Sequence, residues 1–274
     1  MSRPPVVLSI AGSDPSGGAG IQADLKTFSA LGAYGTTVIT ALTAQSTLGV
    51  TGIHAVPPAF VRQQLDTLVA DVRVDAIKIG MLGDAATVRA VAGFLGDHPG
   101  LAPVVLDPVM VSTSGARLLA EEAEQAIGDL LPHARVVTPN IPEAAVLLGE
   151  GAATSTEDLL RQARALRARG AQAVLAKGGH LTGHDATDVW IDDDGEHLLG
   201  ARRVPTANTH GTGCSLSSAI AALLPRSGSP LSAAREAKTW LSAALEGADT
   251  LEIGHGPGPV HHFHRWWDQP VATR

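Results

Sequence analysis

The feature that most constrains the fold is an alternation of short apolar strands with helical segments along the chain. Each strand candidate is rich in β-branched or other apolar residues and is bounded by Gly, Pro or Asp. Strands that are apolar on both faces belong inside a sheet that helices cover on both sides. The predicted strands are residues 6–10, 36–43, 76–79, 104–106, 136–138 and 173–176.

Helical patterns lie between these strands, which favours a mainly parallel, doubly wound α/β sheet. Later in the chain, residues 189–199 with a turn at 192–195 predict a small β-hairpin excursion. No internal repeat or long linker divides the chain, so we expect a single domain over residues 1–274. The predicted helices are residues 19–31, 58–71, 85–95, 121–131, 156–169, 212–224 and 232–249.

Composition argues against several classes of protein. The chain has 274 residues, of which 45% are hydrophobic, enough to fill a sizeable core. Its 20 Lys and Arg against 27 Asp and Glu give a net charge of −7, without the basic run that nucleic-acid binding requires. Cys214 is the single cysteine and no secretory leader pattern is present, so we expect a reducing, cytoplasmic location.

Residues 27–61 contain no Asp, Glu, Lys or Arg, a length that could in principle span a bilayer. Seven threonines, four glycines and the pair Pro57 and Pro58 interrupt this stretch. A β-branched run at residues 36–39 suits a buried strand instead. No membrane association is therefore predicted.

In open α/β sheets, ligands bind beyond the carboxyl ends of the strands, so the loops there are the first candidates for a binding site. The first, residues 11–20, has glycines at positions 12, 17, 18 and 20. Their spacing fits neither a dinucleotide-binding fingerprint nor a P-loop. Such a loop lets backbone amides approach a polar ligand, although it could equally be a tight turn.

Residues 208–215 read Asn-Thr-His-Gly-Thr-Gly-Cys-Ser and precede an apolar helix. Gly211 and Gly213 leave backbone amides unshielded at the start of this helix, where unpaired N–H groups and the helix dipole favour an anion. We predict a phosphate-binding anion hole here. The alternative is a helix capped by Asn208 or Thr209.

Three further strand ends bear charged or polar groups. Asp107 follows one strand, Asn140 and Glu143 open the next helix, and Lys177 follows a third strand beside glycines. Carboxylate and amide oxygens suit Mg²⁺, often through water, and a lysine can neutralise phosphate charge. Each could alone be a cap or a solvated side chain. Beside an anion hole, they indicate phosphate chemistry.

Taken together, these segments resemble the hydroxymethylpyrimidine/phosphomethylpyrimidine kinase family, from the first strand to the tail. The resemblance is most specific at the opening segment, which reads SIAGSDPSGGAGIQAD, and in the later segment ITALTAQST. The blocks KIGML, TPN, KGGH, HGTGC and PVHHFH follow in order.

This resemblance implies a ribokinase-like three-layer sandwich that uses ATP and Mg²⁺. It further implies phosphorylation of 4-amino-5-hydroxymethyl-2-methylpyrimidine to its monophosphate and then to its pyrophosphate, in thiamin biosynthesis. A homodimer is expected on the same ground. The implied substrate-binding residues are Gly12, Asp24, Gln45 and Met81; the nucleotide- and phosphate-binding residues Asp107, Asn140, Glu143, Lys177 and Thr209; and the catalytic residues Gly211, Thr212, Gly213, Cys214 and Lys177.

Within this set, Asp107 and Glu143 are expected to hold Mg²⁺ through water. Cys214 is expected to have a lowered thiol pKa, because it lies at a helix amino terminus. Many sugar kinases of the wider ribokinase group resemble one another in having Asp at this position, so Cys214 argues against a sugar kinase.

Two alternatives remain open from the sequence. A pyridoxal or pyridoxine kinase would phosphorylate another hydroxymethyl-bearing aromatic ring, and Gln45 with the opening Gly-Ser-Asp-Pro block favours the pyrimidine instead. A catalytically silent pyrimidine-binding regulator could keep the fold without the chemistry. The joint presence of Asp107, Asn140, Glu143, Lys177 and the anion-hole glycines argues against the regulator.

Overall fold

The computed structural model describes residues 3–110, 121–179, 181 and 185–267. Its strands are β1 (Val6–Ala11), β2 (Tyr34–Ile39), β3 (Ala41–Ser46), β4 (Gly49–Ala55), β5 (Ala76–Ile79), β6 (Val104–Leu106), β7 (Val136–Val137), β8 (Val174–Ala176), β9 (Asp188–Ile191) and β10 (Glu196–Leu199). Its helices are α1 (Gly20–Ala30), α2 (Pro58–Val69), α3 (Ala85–Asp97), α4 (Glu121–Ile127), α5 (Ile141–Leu148), α6 (Thr156–Ala168), α7 (Thr212–Leu223) and α8 (Pro230–Glu246).

An eight-stranded sheet forms the middle layer, in the order β10-β9-β8-β7-β6-β5-β1-β2. The pairs from β2 to β8 are parallel, whereas β8 with β9 and β9 with β10 are antiparallel. Helices α2 to α6 pack on one face, and α1, α7 and α8 pack on the other. The predicted three-layer α/β architecture is therefore confirmed.

Alternating side chains of the central strands supply both halves of the core. On β5, Ile77 and Ile79 face the layer of α2 to α6, whereas Ala76 faces the layer of α1, α7 and α8. Both layers are apolar because a parallel sheet is buried on both sides. The face toward α1 and α7 also holds two buried polar residues, Ser9 on β1 and Lys78 on β5.

Two details of the strand prediction are corrected. The predicted strand 36–43 is two strands. Strand β2 of the main sheet ends at Ile39, and the chain then continues as β3, which is outside that sheet. Strand β3 pairs with β4, which the sequence analysis did not predict, as a separate two-stranded antiparallel sheet. The predicted hairpin at 189–199 is present as β9 and β10, but it extends the main sheet, so the hairpin that leaves that sheet is β3 with β4.

The charge-free stretch 27–61 is divided among α1, β2, β3, β4 and the start of α2. In the part of the chain that the structure describes, no helix combines the length and the apolar character needed to cross a membrane.

Candidate functional site

The parallel strands β1, β5, β6, β7 and β8 are neighbours in the sheet, so their carboxyl ends lie along one edge. The loops singled out in the sequence follow these ends and therefore come together. The amino terminus of α7 completes the edge. A β-carbon added at Gly213 would lie 3.3 Å from Lys177 Nζ and 3.6 Å from Asp107 Oδ2.

Lys177 and Asp107 form a partly enclosed ion pair at the centre of this edge. Lys177 Nζ lies 2.8 Å from Asp107 Oδ1 and 3.8 Å from Glu143 Oε2. Burial alone would lower the pKa of Lys177, but the charges of Asp107 and Glu143 outweigh burial and raise it. Burial likewise acts to raise the pKa of Asp107, yet Lys177 and Lys78 hold it below its usual value.

Glu143 lies in a different electrostatic setting from Asp107. Burial raises its pKa to about 7, although the charge of Lys177 acts in the opposite direction. Its Oε2 accepts a 2.7 Å hydrogen bond from the backbone N–H of Asn140, while Asn140 Oδ1 accepts one of 2.9 Å from the N–H of Glu143. These two residues therefore form a capping box that starts α5.

The predicted anion hole lies at the start of α7. Gly211 has φ 76°, and a β-carbon there would collide with the carbonyl oxygen of Gly18. The position thus needs glycine both for its left-handed backbone and for the close approach of the first loop. No side chain caps this helix, while the hydroxyl of Thr212 donates a 2.7 Å hydrogen bond to the carbonyl of the exposed Thr209.

The expectation of a lowered thiol pKa at Cys214 is wrong. Burial raises the pKa of Cys214 to about 11, and the charges of Asp24 and Asp107 act in the same direction. The charge of Lys78 opposes them without prevailing. A helix amino terminus favours a thiolate, but here desolvation and two nearby carboxylates decide the outcome. Cys214 is a protonated thiol at neutral pH.

Asp24 has no solvent-exposed surface. Each of its carboxylate oxygens lies 2.9 Å from Lys78 Nζ, and the hydroxyls of Ser9 and Ser218 each donate a further bond of 2.6 Å. Burial acts to lower the pKa of Lys78, but nearby negative charge, chiefly that of Asp24, outweighs burial and raises the pKa to about 12. The structure thus places Asp24 in a buried ion pair, and its direct contact with a substrate stays a prediction.

Sequence reasoning did not assign a role to Lys78, Ser9 or Ser218. The sequence does contain a signal for Lys78, because this lysine interrupts an otherwise apolar strand. A lysine is almost never fully buried without a partner.

The predicted substrate-side residues Gly12 and Met81 are in contact. A β-carbon at Gly12 would lie 2.6 Å from the terminal methyl of Met81, which is buried. The hydroxyl of Thr40 donates a 2.7 Å hydrogen bond to the Met81 carbonyl and so links the residue before β3 to the loop after β5. Gln45 is half-buried on β3.

Asp14 and His210 are two further site residues that sequence reasoning did not assign. They link the loop after β1 to the loop before α7, with His210 Nε2 2.8 Å from Asp14 Oδ2. Both side chains are buried. His180, from the predicted lysine loop, lies outside the described residues.

The chain is similar to known proteins over nearly its whole length. A family model described as phosphomethylpyrimidine kinase matches residues 14–261. The hydroxymethylpyrimidine/phosphomethylpyrimidine kinase of Salmonella typhimurium is 55% identical over 261 residues, covering 95% of this chain and 98% of that protein. The protein of the same name from Escherichia coli is 54% identical, with coverage of 95% and 98%.

Solved structures give the same architecture. The pyridoxal kinase of Staphylococcus aureus in complex with AMP-PCP and pyridoxal has a TM-score of 0.88 and 33% identity, over 98% of this chain and 97% of that chain. A phosphomethylpyrimidine kinase from Clostridium difficile has a TM-score of 0.77 and 37% identity, over 88% and 99%.

We predict that Lys78→Met lowers the free energy of unfolding by about 3–5 kcal/mol, because it leaves the Asp24 carboxylate buried without its cation. The double variant Lys78→Met, Asp24→Asn should recover much of this loss, since it removes both charges but keeps a side-chain amide beside Ser9 and Ser218. Urea denaturation measures both effects. A single variant with the wild-type urea midpoint would show that the ion pair is not needed for stability.

Proposed function

We propose that this chain, which belongs to the phosphomethylpyrimidine kinase family, transfers the γ-phosphoryl group of ATP to 4-amino-5-hydroxymethyl-2-methylpyrimidine and then to the resulting monophosphate. The observation that carries the proposal is the meeting of Lys177, Asp107 and the amino terminus of α7 at one edge of the sheet. The relatives that bear this name match nearly the whole chain.

Phosphoryl transfer asks a protein for positioning and for donors around negative charge spread over the transferred group. Lys177 supplies a fixed cation, and the backbone amides that begin α7 supply an anion hole. Asp107 and Glu143 hold Lys177 in place before any ligand arrives. ATP as phosphoryl donor is further supported by the neighbouring pyridoxal kinase, whose structure holds AMP-PCP.

The carboxylates suit Mg²⁺ bound through water. In the described part of the chain, no three His, Cys, Asp or Glu side chains converge to hold a metal ion directly. Mg²⁺ usually keeps several waters and takes one or two carboxylates together with substrate phosphates. Asp107 and Glu143 would hold it in that way. When bound, the ion would neutralise phosphate charge.

On the acceptor side, Gln45 offers hydrogen bonds to the polar edge of the pyrimidine, and Gly12 and Met81 offer a surface for its ring. We propose that Cys214 lies beside the acceptor hydroxymethyl group. Because its pKa is raised to about 11, it orients the hydroxyl as a neutral thiol rather than taking the proton as a thiolate. A loose transition state needs little help from a base.

We also propose that the protein is a homodimer. Large apolar side chains are exposed on and around the β3–β4 hairpin: Leu42 is 50% exposed, Leu48 71% and Ile53 47%. A second copy that packs against this hairpin would cover exposed apolar side chains on both of its faces, and exposed apolar surface marks interaction sites. Sedimentation equilibrium should give twice the mass of the chain. The mass of a single chain at micromolar concentration would reject the dimer.

The experiment that tests the function measures ATP consumption and identifies products in parallel for three acceptors. These are the hydroxymethylpyrimidine, its monophosphate and pyridoxal. We expect transfer to both pyrimidines, with pyridoxal the poorer acceptor. Preferred transfer to pyridoxal would favour a pyridoxal kinase, the activity of its structural neighbour. Binding of the pyrimidine without any transfer would indicate a regulator.

A further prediction concerns the anion hole. Gly213→Val should lower turnover at least about tenfold, because its side chain would occupy the space beside Lys177 and Asp107 that the phosphate needs. Cys214→Ala leaves the backbone amides in place, so it should cost less. Calorimetric binding of the pyrimidine without ATP should change by only a few-fold in either variant. Wild-type turnover by Gly213→Val would show that this helix terminus is merely structural.

A further inference from the structure

Lys177, the lysine that is proposed to meet the phosphate, lies one residue beyond the end of β8. Its side chain is a flexible four-carbon stem. The contacts of its Nζ with Asp107 and Glu143 therefore hold only one end of the stem. The direction in which the stem leaves the chain is set by the two peptide groups that flank Lys177, and each of these is anchored by a different segment.

The peptide group before Lys177 is anchored by the backbone of the neighbouring loop. The N–H of Lys177 donates a 2.8 Å hydrogen bond to the carbonyl of Pro139. A parallel bridge between Asn140 and Lys177 accompanies this bond and continues the pairing of β7 with β8. Ordinary sheet pairing thus accounts for this half of the lysine's orientation.

The peptide group after Lys177 is anchored by a side chain. The N–H of Gly178 donates a 2.9 Å hydrogen bond to Oδ1 of Asp188, the first residue of β9, which pairs with β8. A β-carbon at Gly178 would collide with the carbonyl oxygen of Thr187, so the two segments are in direct contact here. The carboxylate of Asp188 thereby fixes how this peptide group is turned.

Asp188 is held in turn by helix α8. Its Oδ2 lies 2.5 Å from Nζ of Lys238, which also donates a 2.9 Å hydrogen bond to the carbonyl of Ala186. Asp188 and Lys238 are both buried. Because separating a buried ion pair leaves an uncompensated charge, the carboxylate keeps Oδ2 toward Lys238 and Oδ1 toward Gly178.

We propose that Asp188, held by Lys238, is a positioning residue that directs the side chain of Lys177 toward the transferred phosphoryl group. The connection runs from α8 through the Asp188 carboxylate to the Gly178 peptide group and ends at the backbone of Lys177. This inference rests on the proposed function, in which Lys177 is the cation beside the phosphoryl group.

The rival interpretation is that the ion pair only fastens α8 to β9. Fastening needs the two charges, whereas positioning needs a hydrogen-bond acceptor for the N–H of Gly178. Asparagine keeps an acceptor oxygen at position 188, and leucine has a similar size without one. Lys238→Met accompanies both changes, so that no unpaired ammonium stays buried and none competes for the asparagine oxygen.

The test compares kcat for phosphorylation of the hydroxymethylpyrimidine in the wild type and in two double variants. These are Lys238→Met, Asp188→Asn and Lys238→Met, Asp188→Leu. We expect the Asp188→Leu double variant to have a kcat at least about tenfold below that of the Asp188→Asn double variant, since a small misplacement of a reacting group has effects of this size. The Asp188→Asn double variant should retain most of the wild-type kcat. Calorimetric binding of the pyrimidine without ATP should be the same in both.

Two controls separate positioning from general damage. In a Lys177→Ala background, both double variants should have the same residual kcat, because no lysine remains to be directed. The matched control lies at the opposite edge of the sheet, where Asp75 accepts a 2.9 Å hydrogen bond from the N–H of Val6 and pairs with Arg3. Arg3→Met, Asp75→Leu should lower the urea midpoint and leave kcat at the wild-type value.

Crystal structures of the double variants locate Lys177 without relying on activity. We expect its Nζ to keep its place beside Asp107 in the Asp188→Asn double variant and to move by about 1 Å or more in the Asp188→Leu double variant. Asp188→Val, which suits a strand and also lacks an acceptor, replaces Asp188→Leu should the latter not fold.

Equal kcat in the two double variants, or an unmoved Lys177 Nζ in the Asp188→Leu double variant, would overturn the positioning role and leave the proposed function intact. A wild type that phosphorylates neither pyrimidine would reject the proposed function. In that case, a displaced Nζ in the Asp188→Leu double variant alone would still support the positioning of Lys177 by Asp188.

Discussion

The buried ion pair between Asp24 and Lys78 is the interaction on which the arrangement of the other elements depends. Neither side chain has exposed surface, and Ser9 and Ser218 complete the hydrogen bonds of the carboxylate. The four residues come from α1, β5, β1 and α7. Since an unpaired charge at this depth costs several kcal/mol, these elements can pack only in the register that brings the four side chains together. That register positions the amino terminus of α7 beside the strand ends.

The charged side chains of the site are paired with one another in the folded protein. Lys177 is paired with Asp107 before any ligand arrives, so under the proposed function the cation is already in position and little reorganisation would be needed when phosphate enters. Burial, assisted by the charges of Asp24 and Asp107, raises the pKa of the Cys214 thiol and keeps it protonated. Burial raises the pKa of Glu143 to about 7, so a change in nearby charge would alter its ionisation at neutral pH. The site thus supplies fixed charges and oriented dipoles rather than a strong base.

Much of the fold followed from the sequence because its strands are short, apolar on both faces and separated by helices. The break between β2 and β3 was missed, since residues 36–43 read as one β-branched run and the crossing out of the main sheet leaves no local mark. In the site, the glycine and polar segments at strand ends were found from pattern and resemblance. Lys78, Asp14 and His210 were not assigned, because their partners lie 54 and 196 residues away along the chain.

The sequence by itself determined the α/β class, the residue types at the strand ends and the family resemblance, since these rest on local pattern and on motifs that can be read along the chain. Only the tertiary structure decided which groups are ionised and which way they face. The Cys214 thiol illustrates the difference, because its position at a helix amino terminus favours a low pKa, whereas burial near Asp24 and Asp107 gives a high one. Protonation depends on desolvation and on charges brought together from distant segments, and neither is written in the local sequence.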